Sequence, residues 1–161
     1  MTLCKHIAKH FRELYKGGNW TYTNVKDTLN DISWEEANKK VYSFNTIAAL
    51  VFHMNYFVEA ALQVLQGKAL DAHDKYSFDV PPILSNEDWD QLVNTTLLNA
   101  NTFADLLEQM PDNKMWEVFE DEKYGNYYRN MHGIIEHSHY HLGQIVIIKN
   151  LIKEMKLLEA K

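Results

Sequence analysis

The chain's only prolines, Pro81, Pro82 and Pro111, all fall between stretches that carry apolar residues at helical spacing. Proline removes a backbone donor and clashes with the preceding turn, so these positions separate helices rather than interrupt them. With six glycines, the chain has nine strong turn formers in 161 residues. An all-β sandwich needs a turn signal about every 8–12 residues. An all-α fold follows.

Four long helices can be placed by period. The first runs over residues 3–16, with Leu3, Ile7, Phe11 and Leu14 on one stripe and Gly17 and Gly18 ending it. A long connection over 19–42 holds two short helical turns, 24–29 and 33–37. Ser33 with Glu36 three residues on fits a capping box. The second long helix starts near Ser43 and ends at Gly67. It is apolar nearly all round, the pattern of a helix packed on several sides. Ser85, Glu87 and Asp88 supply an N-cap and first-turn acids for a third helix reaching Met110. The last helix spans 124–158, its stripe being Ile134, His137, His141, Ile145, Ile148, Ile152 and Met155.

Four long helices in one chain of this length predict a single domain over 1–161 built as a four-helix bundle. The connection over 68–85 is longer than the ~2–8 residues of a helical hairpin. It can cross the bundle's length, leaving helices two and three parallel in an up-down-down-up order.

Sixteen Lys and Arg stand against 22 Asp and Glu, a net charge of −6. Such a balance lacks the broad basic surface that phosphate-backbone binding uses, so nucleic acid is not an expected partner. The densest cationic stretch, Lys149 to Lys161, still alternates with Glu154 and Glu159. No window reaches ~20 uninterrupted apolar residues and the N-terminus has no signal-peptide core, so no membrane partner and a cytoplasmic location are expected. Cys4 is alone, which excludes a disulfide framework or thiolate-only zinc site within one chain. It reads as a small apolar filler.

Histidine is the overrepresented functional side chain, with eight copies. Composition alone gives roughly 0.4 pairs at i,i+4, and the chain has two. His137 and His141 lie about 40° apart on one helix face, within the apolar stripe. His53 sits near the middle of the second helix. Facing helices would bring the three to one level, where imidazoles can bind Zn²⁺, Ni²⁺ or a similar ion with a position left open. The same placement is compatible with core histidines hydrogen-bonded to neighbours. His6 and His10 flank their stripe near the chain end and form a weaker pair. His73, His132 and His139 read as solvated.

Residues 131–145, MHGIIEHSHYHLGQI, resemble the last-helix motif of the DinB/YfiT-like superfamily, His-x3-His followed by Gly-Gln. Residues 44–53, FNTIAALVFH, are similar to that family's second helix, whose apolar run ends in the first metal histidine. Gly18-Asn19-Trp20, Leu29, Ile32 and residues 33–37 (SWEEA) resemble its connection, so the likeness spans essentially the whole chain. It implies an up-down-down-up four-helix bundle, often a homodimer, with a divalent metal on His53, His137 and His141. Asn45 departs from the histidine many relatives carry in a His-Ser-Ile sequence, which is not a usual ligand.

The resemblance implies a metal-dependent enzyme acting on a small molecule. Transferases using a low-molecular-weight thiol are the first class, because a cation lowers a thiol's pKa beside an electrophile, and hydrolysis is the second. A non-catalytic dimerisation or interaction module with structural buried histidines is the alternative from a different class. No catalytic acid or base is assigned. Glu136 is rotated about 100° from His137 and reads as a surface residue, unlike the Glu of His-Glu-x-x-His. Gln144 is a candidate to orient a ligand from behind. Tyr56 and Tyr140 are candidates for the pocket wall, with core or surface packing the first expectation for each, while Trp20, Trp34, Trp89 and Trp116 are expected to cap the bundle ends. Gly133 and Gly143 each weaken the last helix by ~1 kcal/mol relative to Ala, which a close backbone neighbour could justify.

Overall fold

A computed structural model describes residues 1–160, which are all-helical without a strand. Six α-helices are present: α1 Leu3–Lys16, α2 Val25–Leu29, α3 Trp34–Asn38, α4 Ile47–Leu65, α5 Asn86–Gln109 and α6 Tyr127–Glu159. Short 3-10 turns cover Asp74–Tyr76, Asp112–Trp116 and Glu122–Tyr124.

Local chemistry sets the helix ends. Thr2 caps α1 by accepting from the Lys5 N–H, and the Asp112 carboxylate accepts from the Leu3 and Cys4 N–H groups at 2.9 and 3.0 Å. An anion is favourable there because the first-turn donors have no helical partner. Gly17, at φ 103°, ends the helix. The Ser33/Glu36 capping box forms in both directions. Ser85 caps α5 by accepting from the Asp88 N–H.

Two starts differ from expectation. Helix α4 begins at Ile47, since Thr46, not Ser43, accepts from a helix-start N–H (Ala49), and Tyr42 is left-handed at φ 49°. Helix α6 begins at Tyr127 because Gly125, at φ 77°, turns the chain and Asn126 caps the Arg129 N–H.

Named contacts fix the helix order. Helix α1 lies antiparallel to α5: Leu3 meets Asp112, Arg12 meets Asp105 and Lys16 meets Asn101. Asn99 of α5 donates to Asn55 of α4. Trp89 Nε1, near the start of α5, donates to the Ile32 carbonyl, and Ile47 at the start of α4 borders Ile32 as well. The starts of α4 and α5 therefore both lie near Ile32. Helix α6 packs against α4, pairing His53 with His137 and His141, and touches α1 through Tyr15 and Ser138.

One buried cluster draws on all six helices. Phe11, Leu14, Tyr15, Leu50, Met54, Phe103, Leu107 and Ile145 lie at its centre. Among the described residues α4 alone is long and apolar enough to cross a membrane, and 67% of that stretch is buried inside the protein, so core packing accounts for its composition.

Candidate metal centre

The buried face of α6 is rotated slightly from the expected stripe. Met131, Ile135, Ser138 and Leu142 face the core, so Ile134 and His137 sit at its margin while His141 is buried. Ser138 is fully enclosed because its hydroxyl meets Tyr15 Oη at 3.3 Å. That margin is where α6 faces the middle of α4. The level of His53, on α4, matches His137 and His141.

The three histidines meet. His137 Nε2 stands 3.0 Å from His53 Nε2 and 3.0 Å from His141 Nε2, and one nitrogen from each ring lies within 4.8 Å of the others. Two of their outer nitrogens are held. Ser77 donates its hydroxyl to the Asp74 carbonyl at 2.8 Å, so its Oγ accepts from His53 Nδ1 at 3.0 Å. The Ser77 carbonyl, 3.3 Å away, can only accept. Behind His141, Nδ1 donates to Gln144 Oε1 at 2.6 Å.

With Nδ1 protonated on both rings, His53 and His141 each turn an Nε2 lone pair toward His137 Nε2. A proton on His137 can satisfy only one of them, whereas a cation accepts all three lone pairs. Nitrogens ~2.0–2.1 Å from a tetrahedral ion stand ~3.3 Å apart, so the two 3.0 Å steps would open by a few tenths of an ångström and the His53 and His141 nitrogens, within 4.8 Å of each other, would come to the same spacing. Three close histidines, two of them with fixed outer nitrogens, therefore fit a divalent metal ion. They are also held neutral, the state a metal needs. Burial, then neighbouring His141 and His53, pushes His137 down to about 4. Burial likewise lowers His53 and His141, against the hydrogen bonds from Ser77 and Gln144.

Aromatic rings wall the site. Phe78 stacks on His53 with ring centres 3.9 Å apart and planes at 10°. The Phe57 ring lies nearly edge-on to His53 and His137, 5.1 Å from each, and Tyr140 stands 4.9 Å from His141. Tyr56 Oη accepts from the His73 N–H and donates to the His73 carbonyl, pinning the loop that carries Ser77 and Phe78. A cavity of about 310 Å³ opens beside His137, lined also by Phe57, Arg129, Asn130, Gly133, Ile134 and Glu136. Another, of about 520 Å³, shares Phe57, Asn130 and Ile134 with it.

The remaining histidines lie elsewhere. His6 and His10 are exposed on α1, and His73 is exposed on the loop. His132 and His139 are half-buried rather than solvated: His139 packs 6.2 Å from the His10 ring and His132 lies 4.4 Å from Tyr128. Trp20 and Trp116 are largely exposed, so only Trp89 is buried at a bundle end. Neither Gly133 nor Gly143 has an atom within 4 Å of where a Cβ would sit, so close approach within the chain explains neither. Ser77 and Phe78 were not anticipated. A histidine one turn from a tyrosine, followed by a long polar loop, was the available signal.

No protein-family model, curated protein or solved structure matches the chain. The site geometry is therefore what a functional reading has to rest on.

Proposed function

We propose that this chain is a metal-dependent protein of DinB-like type, its four long helices forming an up-down-down-up bundle around one divalent ion on His53, His137 and His141. The convergence of three Nε2 atoms at 3.0 Å steps, with Ser77 and Gln144 behind two of the rings, supports this reading. Zinc or nickel suits an all-imidazole set. The function is an enzyme acting on a small molecule, with transfer of a low-molecular-weight thiol as first reaction class and hydrolysis as second. A bound divalent cation would lower the pKa of a thiol or water brought to it. The chain supplies the rest: Ser77 and Gln144 hold the rings, Phe57 and Phe78 limit water, and the cavity beside His137 receives the small molecule. Metal analysis of protein purified without chelator or affinity tag should find about one divalent ion per chain, lost in His137→Ala. A wild-type chain that takes up neither Zn²⁺ nor Ni²⁺ at micromolar concentration would sink this reading.

A second reading, a homodimeric interaction module with structural histidines, is favoured by one observation. Tyr140 and Ile147 of α6 are exposed, 65% and 57%, with Phe44 beside Ile147. It requires that a triple alanine variant at His53, His137 and His141 keep both fold and self-association.

A further inference from the structure

The chain has two arginines against 14 lysines, and the structure uses them in opposite ways. Arg12 is fully engaged: its Nη2 lies 2.6 Å from both Asp105 and Glu108. Arg129 has no carboxylate within ion-pair distance among the described residues. Its Nη1 donates to the Tyr124 carbonyl at 2.8 Å, and Arg129 is among the residues lining the cavity that reaches His137. A guanidinium presents a planar fork of donors that matches a carboxylate. An unpaired one at a cavity mouth, in a chain of net charge −6, stands out electrostatically.

Gly133 gives the cavity its shape. Arg129, Gly133 and His137 follow one another at four-residue intervals on one side of α6, each step advancing ~6 Å. A Cβ on Gly133 would meet nothing within 4 Å, and its φ is not positive, so neither crowding nor backbone conformation demands glycine. The residue still weakens the helix relative to alanine. What its missing side chain leaves is a bare floor between the arginine and the histidine, within a cavity of about 310 Å³ whose sides are Phe57, Ile134 and Asn130. Glu136 borders the His137 end.

We propose that this trough is a ligand channel for small molecules that carry a carboxylate: the carboxylate pairs with Arg129, an apolar middle lies over Gly133 against Phe57 and Ile134, and the reacting group points to His137. One guanidinium matches a monoanion, and a phosphate dianion would leave a surplus charge unpaired there. This rests on the metal-centre reading for what happens at the His137 end, while carboxylate capture does not need the metal.

The test titrates hexanoate and its neutral counterpart hexanamide into the metal-free protein, following backbone amide resonances of Gly133 and Ile134 by NMR. Hexanoate should bind at least tenfold tighter than hexanamide, and inorganic phosphate should not compete at equal concentration. Arg129→Met should abolish the preference, leaving hexanamide unchanged. Gly133→Leu, which favours helix and fills the floor, should weaken both probes at least tenfold, read at Ile134, while the helical circular dichroism stays at the wild-type level. Equal binding of the two probes by the wild type, or a preference that survives Arg129→Met, overturns the channel even if zinc binds. A carboxylate preference in a chain that takes no metal leaves the channel standing and removes the metal centre.

Discussion

His137 Nε2 and His53 Nε2 lie 3.0 Å apart although 84 residues separate them in the chain. Each ring is placed by a different device, which makes the contributions separable. His53 is fastened to the loop through both the hydroxyl and the carbonyl of Ser77. His141 has one fastening, Gln144. No comparable partner stands behind His137, which Phe57 and the other two histidines hold by contact.

The two fastenings should therefore be unequal. Gln144→Ala removes the sole acceptor behind His141, and loss of such an outer partner commonly weakens metal binding ~10–100-fold. Ser77→Ala keeps the backbone carbonyl and should fall at the low end of that range or below it. Competition with a chelating dye gives both constants. A larger loss for Ser77→Ala would contradict the assignment of the hydrogen bonds.

Phe78 offers a check that needs no metal. It is 40% exposed, yet its ring lies flat on His53 at 3.9 Å. An aromatic pair of this kind contributes ~0.5–1.5 kcal/mol beyond buried area, so Phe78→Ala should lower the stability of metal-free protein by about 1 kcal/mol in urea. Burial is the first cause of the lowered His53 pKa. Uncovering the ring should let that pKa climb back toward its ordinary value, measurable by NMR titration. An unmoved pKa would mean that Phe78 does not shield the ring.

The core makes the opposite demand. Phe103 is fully buried, with its ring 4.7 Å from Phe11, whereas Trp20 is 95% exposed. Phe103→Ala should cost ~3–5 kcal/mol through lost burial and a residual cavity. Trp20→Ala should change stability by no more than ~0.5 kcal/mol in either direction. Urea midpoints at neutral pH separate the two directly.

These contrasts show which features periodicity carried. Helix α1 and the Ser33/Glu36 box sit where the residues placed them, because caps and glycine stops act over a few neighbouring positions. His53, His137 and His141 were legible as a group since helical geometry sets the face and helix midpoints set the level. The phase of α6 was less so: Ser138 counts as polar in any hydropathy pattern, yet Tyr15, 123 residues away, makes it a core residue and turns His137 to the margin. Helix α4 starts later than Ser43 because the chain turns over residues 42–44, with Tyr42 left-handed, before Thr46 accepts the Ala49 N–H. Ser77 and Phe78 were invisible because loops have no period. Gly133 is a weak helix residue by type, yet nothing crowds the place its Cβ would take.

Acid should destabilise the metal-free protein, and His137 gives that effect a definite window. Its pKa is held at about 4 in the folded chain against an ordinary 6.5. Between those values the unfolded chain binds a proton that the folded chain does not, so stability rises with pH across the window. The contribution is complete above pH ~6.5 and is lost as pH falls toward 4; His53 and His141, shifted the same way, add to it. Asp31 is lowered to about 2 by its hydrogen bonds from Lys149 and Lys153, so most of its own loss falls at more acid pH. Urea unfolding of chelator-treated protein should show a midpoint that drops between pH 7 and 4.5, and His137→Ala should drop less over the same interval. The carboxylates are common to both proteins, so the difference isolates the imidazole. Parallel pH profiles for the two would show that His137 titrates alike in the folded and unfolded chains, and a half-buried His137 held neutral would have to be abandoned.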